Sequence, residues 1–228
     1  SVFWFSTLCG LVIIPVWLKL CPNLTMAPKA AKKTAEGASM PAGDLARLMM
    51  SPMMLAILLC IICQGALRDS VTTWMPTYIG ETYHLGSAVA TLTGVAMPLF
   101  GILCQQLASL LYGKMNGKPL QTAAVLCEIA VVANVLLICT AGKSAAVSVF
   151  GAALLTGAMH GTNMTLISFL PSHFRNTGHV STISGVLNAC VYIGSALSTY
   201  GFAALSEHAG WSMTIVLWLA LAIGCGGI

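Results

Sequence analysis

The strongest constraint on this chain is a run of apolar blocks, each long enough to cross a bilayer, with almost no charge inside them. Seven such segments can be read: Ser1 to Leu20, about Ser51 to Thr73 with a helical continuation to Tyr78 left open, Ser87 to Tyr112, Leu120 to Ala141, Ser144 to Leu170, Val180 to Ala204, and Trp211 onward. About 20 helical residues span the ~30 Å hydrocarbon core. Only 7% of residues are charged and 57% are hydrophobic, against about 25% charged in an ordinary soluble domain. Lipid offers backbone groups no partner, so only helices and closed barrels cross it. The period-two alternation of barrel strands is absent. The expected fold class is therefore all-α integral membrane, with the lipid bilayer as its surroundings. The net charge of +4 is no nucleic-acid footprint, because the basic residues sit in loops between apolar blocks.

Those loops fix an orientation. Lys19, Lys29, Lys32, Lys33, Arg47, Lys114, Lys118 and Arg175 fall on one side; Lys143 and, at most, Arg68 fall on the other. Positive charge marks the cytoplasmic side. The loops Cys21–Arg47, Gly113–Pro119 and Pro171–Gly178 are then inside, and Pro76–Gly86, Ala141–Lys143 and Ser206–Gly210 outside. The Cys21–Arg47 loop is expected to be flexible, given its Lys, Ala, Gly and Pro. Three parts are expected: the last helix of an N-terminal half over 1–20, a cytoplasmic loop between halves over 21–50, and a C-terminal six-helix bundle over 51–228. One span, a long basic loop and six closely connected spans form the pattern of a transporter built from two six-helix repeats, from its middle onward. The chain opens within an apolar run at Ser1 and is still apolar at Ile228. It reads as part of a longer protein whose N-terminal half would be a partner, resident in the cell (plasma or inner) membrane.

Within the second apolar segment stand Arg68 and Asp69. A charge at the centre of a membrane helix costs roughly 2.5–3.5 kcal/mol on insertion scales. Arg68 must therefore be paired or face a wet cavity. Its planar fork of donors suits phosphate or carboxylate, and Gln64, four residues earlier, shares its helix face. Asp69 can pair with Arg68 or take up a coupling proton. Adjacent helical residues point about 100° apart, so a tight pair is left open.

Other polar residues recur at helical spacing. Ser181, Ser184, Asn188, Tyr192, Ser195 and Thr199 form one stripe; Asn188 and Tyr192 are its candidates for cavity lining, against plain helix packing. Thr156, His160 and Asn163 form another, where His160 can shuttle protons or hydrogen-bond an anion, or simply pack. Gly94 and Gly101 read as close-packing positions and Pro98 as a kink. Glu128, at mid-span, is expected to make a structural hydrogen bond. Trp74, Tyr78, Tyr83 and Trp211 lie where interfacial aromatic belts form. The nine cysteines are spread singly; Cys60 and Cys63 have CxxC spacing but no neighbouring ligands, so no metal or cofactor is expected. The sequon Asn23-Leu24-Thr25 falls in a loop read as cytoplasmic and is discounted.

The segment Arg68-x5-Trp74-x-Pro76-x-Tyr78 resembles the seventh helix of the organophosphate–phosphate antiporter branch of the major facilitator superfamily, which includes the glycerol-phosphate and hexose-phosphate transporters. Ser184-Gly185-Val186-Leu187-Asn188, Tyr192-Ile193-Gly194 and Glu207-His208-Ala209-Gly210-Trp211 resemble its eleventh helix and the turn into the twelfth. His160-Gly161 stands where the tenth helix often carries an aromatic–Gly pair. The resemblance implies twelve helices, a central cavity, rocking alternating access, and an anion site with one Arg from each half. Arg68 would be the Arg of this half, and Trp74 belongs to the same motif. Two departures stand out. Asp69 follows Arg68 and weighs against a dianionic substrate. The family's cytoplasmic Gly-rich basic loop survives only as Gly113-Lys114-Met115-Asn116-Gly117.

The expected function is secondary transport of a small organic anion, with organophosphate–phosphate exchange as its specific form. Arg68, Gln64, His160, Asn163, Asn188, Tyr192 and Trp74 are the substrate-binding candidates, and Asp69 the coupling candidate. The rivals are a proton-coupled carrier of a neutral or cationic solute and a non-transporting sugar-phosphate sensor. An enzyme is not expected: the sequence has no HExxH, no GxSxG and no clustered acids.

Overall fold

A computed structural model describes residues 2–20 and 40–227. It divides into two units, one over Ser1–Ser39 and one over Met40–Ile228. In the first unit, α1 spans Val2–Leu20 and contains Pro15. Residues 21–39, with Lys29, Lys32, Lys33 and the sequon, lie outside the described residues.

The second unit is wholly helical among the described residues. It opens with α2 (Ala42–Met49), which occupies part of the stretch expected to be a flexible loop. Its entry is tied down: the Met40 N–H donates to the Thr177 carbonyl at 2.9 Å, and the Met40 carbonyl accepts from His179 Nε2 at 2.8 Å. Then come α3 (Pro52–Tyr83), α4 (Ser87–Lys114), α5 (Pro119–Thr140), α6 (Ala145–Met164) and α7 (Val180–Gly226). After α6 the chain continues through a π-helical turn, Thr165–Phe169, and a 3-10 helix, Leu170–Thr177. Among the described residues, five helical stretches are long and apolar enough to cross a membrane.

Three expected boundaries move. Pro76–Gly86 was expected to be an outer loop, but α3 runs on to Tyr83. Pro76 tolerates this because a membrane helix with a proline can still be held by its neighbours. The expected loop Ser206–Gly210 is helical as far as Ala209, and the sixth and seventh apolar segments, the two arms of α7, part only at Gly210, whose φ of 75° and ψ of 174° belong to a region open essentially to glycine. The third is the inner loop Pro171–Gly178, wound as 3-10 helix to Thr177 and closed by Gly178 at φ 73°.

Gly210 reverses the chain. On a straight helix Phe202 and Trp218 would stand about 24 Å apart, yet their ring centroids are 6.2 Å apart. The arm over 180–209 runs parallel to α3, with Val191 against Gly65. The arm over 211–226 runs antiparallel to it. At one end Trp211 Nε1 donates to Glu81 Oε2 at 2.7 Å; at the other Cys60 Sγ donates to the Cys225 carbonyl at 3.5 Å. Cys60 thus engages α7 rather than Cys63.

Lipid tails are as apolar as leucine, so helices in a membrane are held by close packing and hydrogen bonds rather than by expulsion of water. The small residues mark where this happens. A Cβ on Gly65 would collide with the Val191 carbonyl, and one on Gly194 with the Ile62 carbonyl. Gly157 and Gly161, one turn apart on α6, face Cys104 and Ala108, one turn apart on α4. Gly94 and Gly101 pack closely as their spacing anticipates, against Pro76 and His160.

Two sequence expectations fail here for identifiable reasons. Tyr78 is buried, not interfacial, because Trp211 and Tyr83 pack edge-on against its ring at 5.5 and 6.1 Å. Tyr83 clamps the α5–α6 turn: its hydroxyl donates to the Thr140 carbonyl at 3.2 Å, accepts from the Gly142 N–H at 3.0 Å and meets Ser148 Oγ at 2.7 Å. Glu128 makes no hydrogen bond among the described residues; it is exposed on the outer face of α5, beside Val131 and Val132.

Gly194→Ala drives a methyl into backbone and is expected to destabilise the bundle by about 1–3 kcal/mol. Gly185→Ala, on the same helix, meets nothing within 4 Å and is expected to leave stability unchanged or slightly raised. Thermal unfolding of both variants in detergent checks the contrast; equal melting temperatures would remove the close crossing as a source of stability.

Candidate functional site

The site begins where the two glycines bring α3 and α7 together. One turn beyond Gly65 on α3 stand Arg68 and Asp69. Their side chains form a two-pronged ion pair: Arg68 Nε donates to Asp69 Oδ1 at 2.6 Å, and Arg68 Nη2 to Asp69 Oδ2 at 3.0 Å. Sequence spacing left this pair open; the fold closes it. The flexible arginine stem bends round the helix to bring the edge of its fork onto the shorter acid. Among the described residues it is the sole side-chain ion pair. The arginine side chain is 13% exposed and the aspartate 27%.

The pair occupies one edge of the guanidinium. The Nη1 end of the fork makes no hydrogen bond among the described residues and is not sealed from solvent. Thr72 Oγ1 donates to the Arg68 carbonyl at 2.8 Å, closing the helix locally.

Two neighbouring helices complete the surroundings. From α6, His160 stands within electrostatic reach of both charges. Its Nδ1 lies 2.9 Å from the Thr156 carbonyl. A carbonyl only accepts, so this nitrogen carries hydrogen and Nε2 remains as the ring's second hydrogen-bonding atom. Gly101 of α4 gives the ring room, since a Cβ there would stand 3.4 Å from it. From α7, Ser195 lies near Asp69 without a hydrogen bond to it.

Gln64 is fully buried. Its Nε2 donates to the Met159 carbonyl at 3.0 Å, joining α3 to α6, while its Oε1 is buried without a partner. Asn163, on the turn after His160, likewise has a buried Oδ1 with no partner. Just beyond it the helix widens into the π-helical turn, a feature frequent at functional sites. Ser184 of α7 donates to the Ile167 carbonyl in that turn at 2.9 Å.

The remaining candidates are not drawn into this cluster. Asn188 and Tyr192 share the helix face of Ser195 by spacing, but both are exposed and make no hydrogen bond among the described residues. The buried face of that arm is Ile183, Leu187, Val191, Gly194 and Ser198. Trp74, six residues beyond Arg68, points about 120° away from it round the helix. It packs against the core with its Nε1 buried and unpartnered. Sequence reasoning set Ser195 in the polar stripe but did not connect it with Asp69. No spacing rule links residues on different helices; only the glycine crossing brings them together.

This geometry can hold a negative group. The arginine is fixed in direction by its own acid, is partly open, and has a histidine and a serine beside the pair. Removing Asp69 alone leaves a charge unpaired, which is the expensive way to break such a pair. Asp69→Ala is expected to lose about 1–3 kcal/mol of stability, while Arg68→Ala with Asp69→Ala recovers part of it. A double-mutant cycle by thermal unfolding gives the coupling; a coupling near zero would make the pair a surface contact of no structural weight.

The family model described as Major Facilitator Superfamily matches residues 1–199. No curated protein sequence matches the chain. With a family match over most of its length and five apolar helices of membrane length, this chain is a multi-pass membrane protein and belongs to the major facilitator superfamily, a family of transporters rather than enzymes.

Proposed function

We propose that this chain forms the C-terminal six-helix half of a twelve-helix secondary transporter of the cell membrane, and that the whole protein moves a small organic anion by alternating access. One observation carries the reading: an arginine in a membrane-length helix, only 13% exposed, whose fork is held on one edge and open on the other. Such a group is expensive to keep in a bilayer unless it works on something. The free edge of the fork suits a carboxylate or phosphate oxygen. Asn188 and Tyr192, polar and exposed on α7, are unsuited to lipid and suited to a cavity shared with the N-terminal half. No bond is broken in this work; the substrate has only to bind inward-open and outward-open states differently enough to shift them.

Within this reading, exchange of an organophosphate for phosphate is the specific form that the Arg68–Tyr78 motif favours. A second reading, a carrier of a cationic solute, draws on the greater exposure of Asp69, at 27% against 13% for Arg68. That arrangement leaves the acid as approachable as the base.

Exchange in vesicles containing the full-length protein separates these. Labelled phosphate is exchanged against a panel of organic anions and, in parallel, organic cations. Arg68→Lys keeps the charge but loses the fork. It is expected to cut anion exchange by roughly tenfold or more, the worth of one good charge-assisted contact. Anion exchange indifferent to Arg68→Lys would remove the arginine from the site, and cation exchange lost with Asp69→Asn would establish the second reading.

A further inference from the structure

Away from the arginine, three thiols from three helices share one cavity. We propose that Cys60 and Cys225 are a redox pair: an organic hydroperoxide entering this cavity from the membrane oxidises them to a disulfide that staples α3 to the end of α7. This chemistry is independent of what the protein carries.

The cavity measures about 350 Å³ and lies between α3, α5 and the second arm of α7; Met53, Ile57 and Leu166 are in its walls, and Cys60, Cys127 and Cys225 all line it. Cys60 stands eight residues beyond Pro52, the first residue of α3, or about 12 Å along the helix. Cys225 is the penultimate residue of α7. The distribution of lysine and arginine puts the start of α3 and the end of α7 on the inner side of the membrane. The walls are apolar, so a peroxide carried on an apolar body enters where a charged oxidant is excluded.

Geometry selects the pair. Cys60 Sγ donates to the Cys225 carbonyl at 3.5 Å, and Cys225 Sγ donates to the Cys60 carbonyl at 3.6 Å. Each sulfur crosses to the other's backbone, which sets the two backbones side by side, the first requirement of a disulfide. The two sulfurs lie near each other without a hydrogen bond between them, and a turn about the Cα–Cβ bond exchanges carbonyl for sulfur. Cys127 is near both, but its sulfur faces Thr162 Oγ1 at 4.0 Å. Cys60 is the most open of the three, 7% exposed against 4% for Cys225 and 1% for Cys127, so it meets the oxidant first.

The oxidation moves two electrons. Cys60 Sγ attacks the outer oxygen of the hydroperoxide; an S–O bond forms, the O–O bond breaks, and the alkoxide leaves as an alcohol with the thiol's proton. Cys225 Sγ then attacks the sulfenic sulfur of Cys60; the S–S bond forms, the S–O bond breaks, and hydroxide leaves as water with the second thiol's proton. Two thiols are oxidised and one peroxide is reduced. Small thiols on the inner side return the pair to its reduced form by exchange, the usual fate of a disulfide facing a reducing compartment. The bond joins residues 165 apart in the chain, and closing so long a loop restricts the unfolded state. Oxidation therefore stabilises the bundle for as long as the membrane carries peroxide.

The test uses purified full-length protein in liposomes, treated with cumene hydroperoxide, denatured in N-ethylmaleimide and read by peptide mass spectrometry. A peptide pair joining Cys60 to Cys225 is expected, two hydrogens lighter than the sum of its parts and lost with dithiothreitol. The melting temperature in detergent is expected to rise by about 5 °C or more on oxidation and to fall back with dithiothreitol. Cys225→Ser is expected to show neither the crosslink nor the rise. Should Cys225→Ser not fold, the wild-type mass measurement decides by itself. Peroxide that oxidises Met53 in the cavity wall yet leaves both thiols to react with maleimide would overturn the inference. A disulfide that takes Cys127 in place of either partner, or oxidation that runs to sulfinic acid without a crosslink, would overturn it as well.

Discussion

The close crossing of α3 and the first arm of α7 is the contact on which the rest depends. Two glycines make it possible: neither Gly65 nor Gly194 could carry even a methyl group without striking the backbone of the other helix. In water such an approach would be one contribution among many to a hydrophobic core. In lipid, where burying leucine against leucine gains little over burying it against acyl chains, backbone-to-backbone packing becomes a principal source of cohesion. The crossing also sets the register in which Ser195 arrives at Asp69. It therefore links the architecture of the bundle to the polar cluster one turn above it.

A second close contact works in the same way between α4 and α6. Gly157 and Gly161 admit Cys104 and Ala108, and Gly101 opposite gives His160 its space. The histidine's position follows from small residues on both helices, and its ring orientation from the Thr156 carbonyl one turn earlier. The polar cluster is thus supported by apolar packing above and below it. A charge in a membrane protein needs that kind of fixed surrounding, because the surroundings cannot reorganise as water would. The Tyr83 clamp and the Trp211–Glu81 bond perform a comparable service at the end of the bundle, holding the α5–α6 turn and the Gly210 reversal.

Much of this was legible in the residues. Apolar blocks and their lengths gave the helical class and nearly every span, since hydropathy and backbone satisfaction in lipid leave little choice. Gly94 and Gly101 announced close packing through helical spacing. The boundaries were less legible. Pro76, Ser206 and Glu207 look like loop residues, yet all lie in helix, because neighbours and interfacial water tolerate them. Tyr78 looked like an interfacial anchor, and Glu128 like a buried partner; their exposure is reversed, since which face of a helix meets the bundle depends on helices distant in sequence.

For the candidate site, the sequence by itself determined that Arg68 and Asp69 lie in a membrane-length helix with Gln64 on the same face, and that His160 and the Ser195 stripe belong to other spans. Local spacing fixes those relations, because 3.6 residues per turn is a property of one helix. Only the tertiary structure decided that Arg68 closes onto Asp69 with one edge of its fork, that His160 and Ser195 come to that pair, and that Trp74 does not. Those facts depend on side-chain rotamers and on the crossing of separate helices. The glycines that make the crossing possible can be read in the chain, but which carbonyl each one meets is settled only when the helices pack.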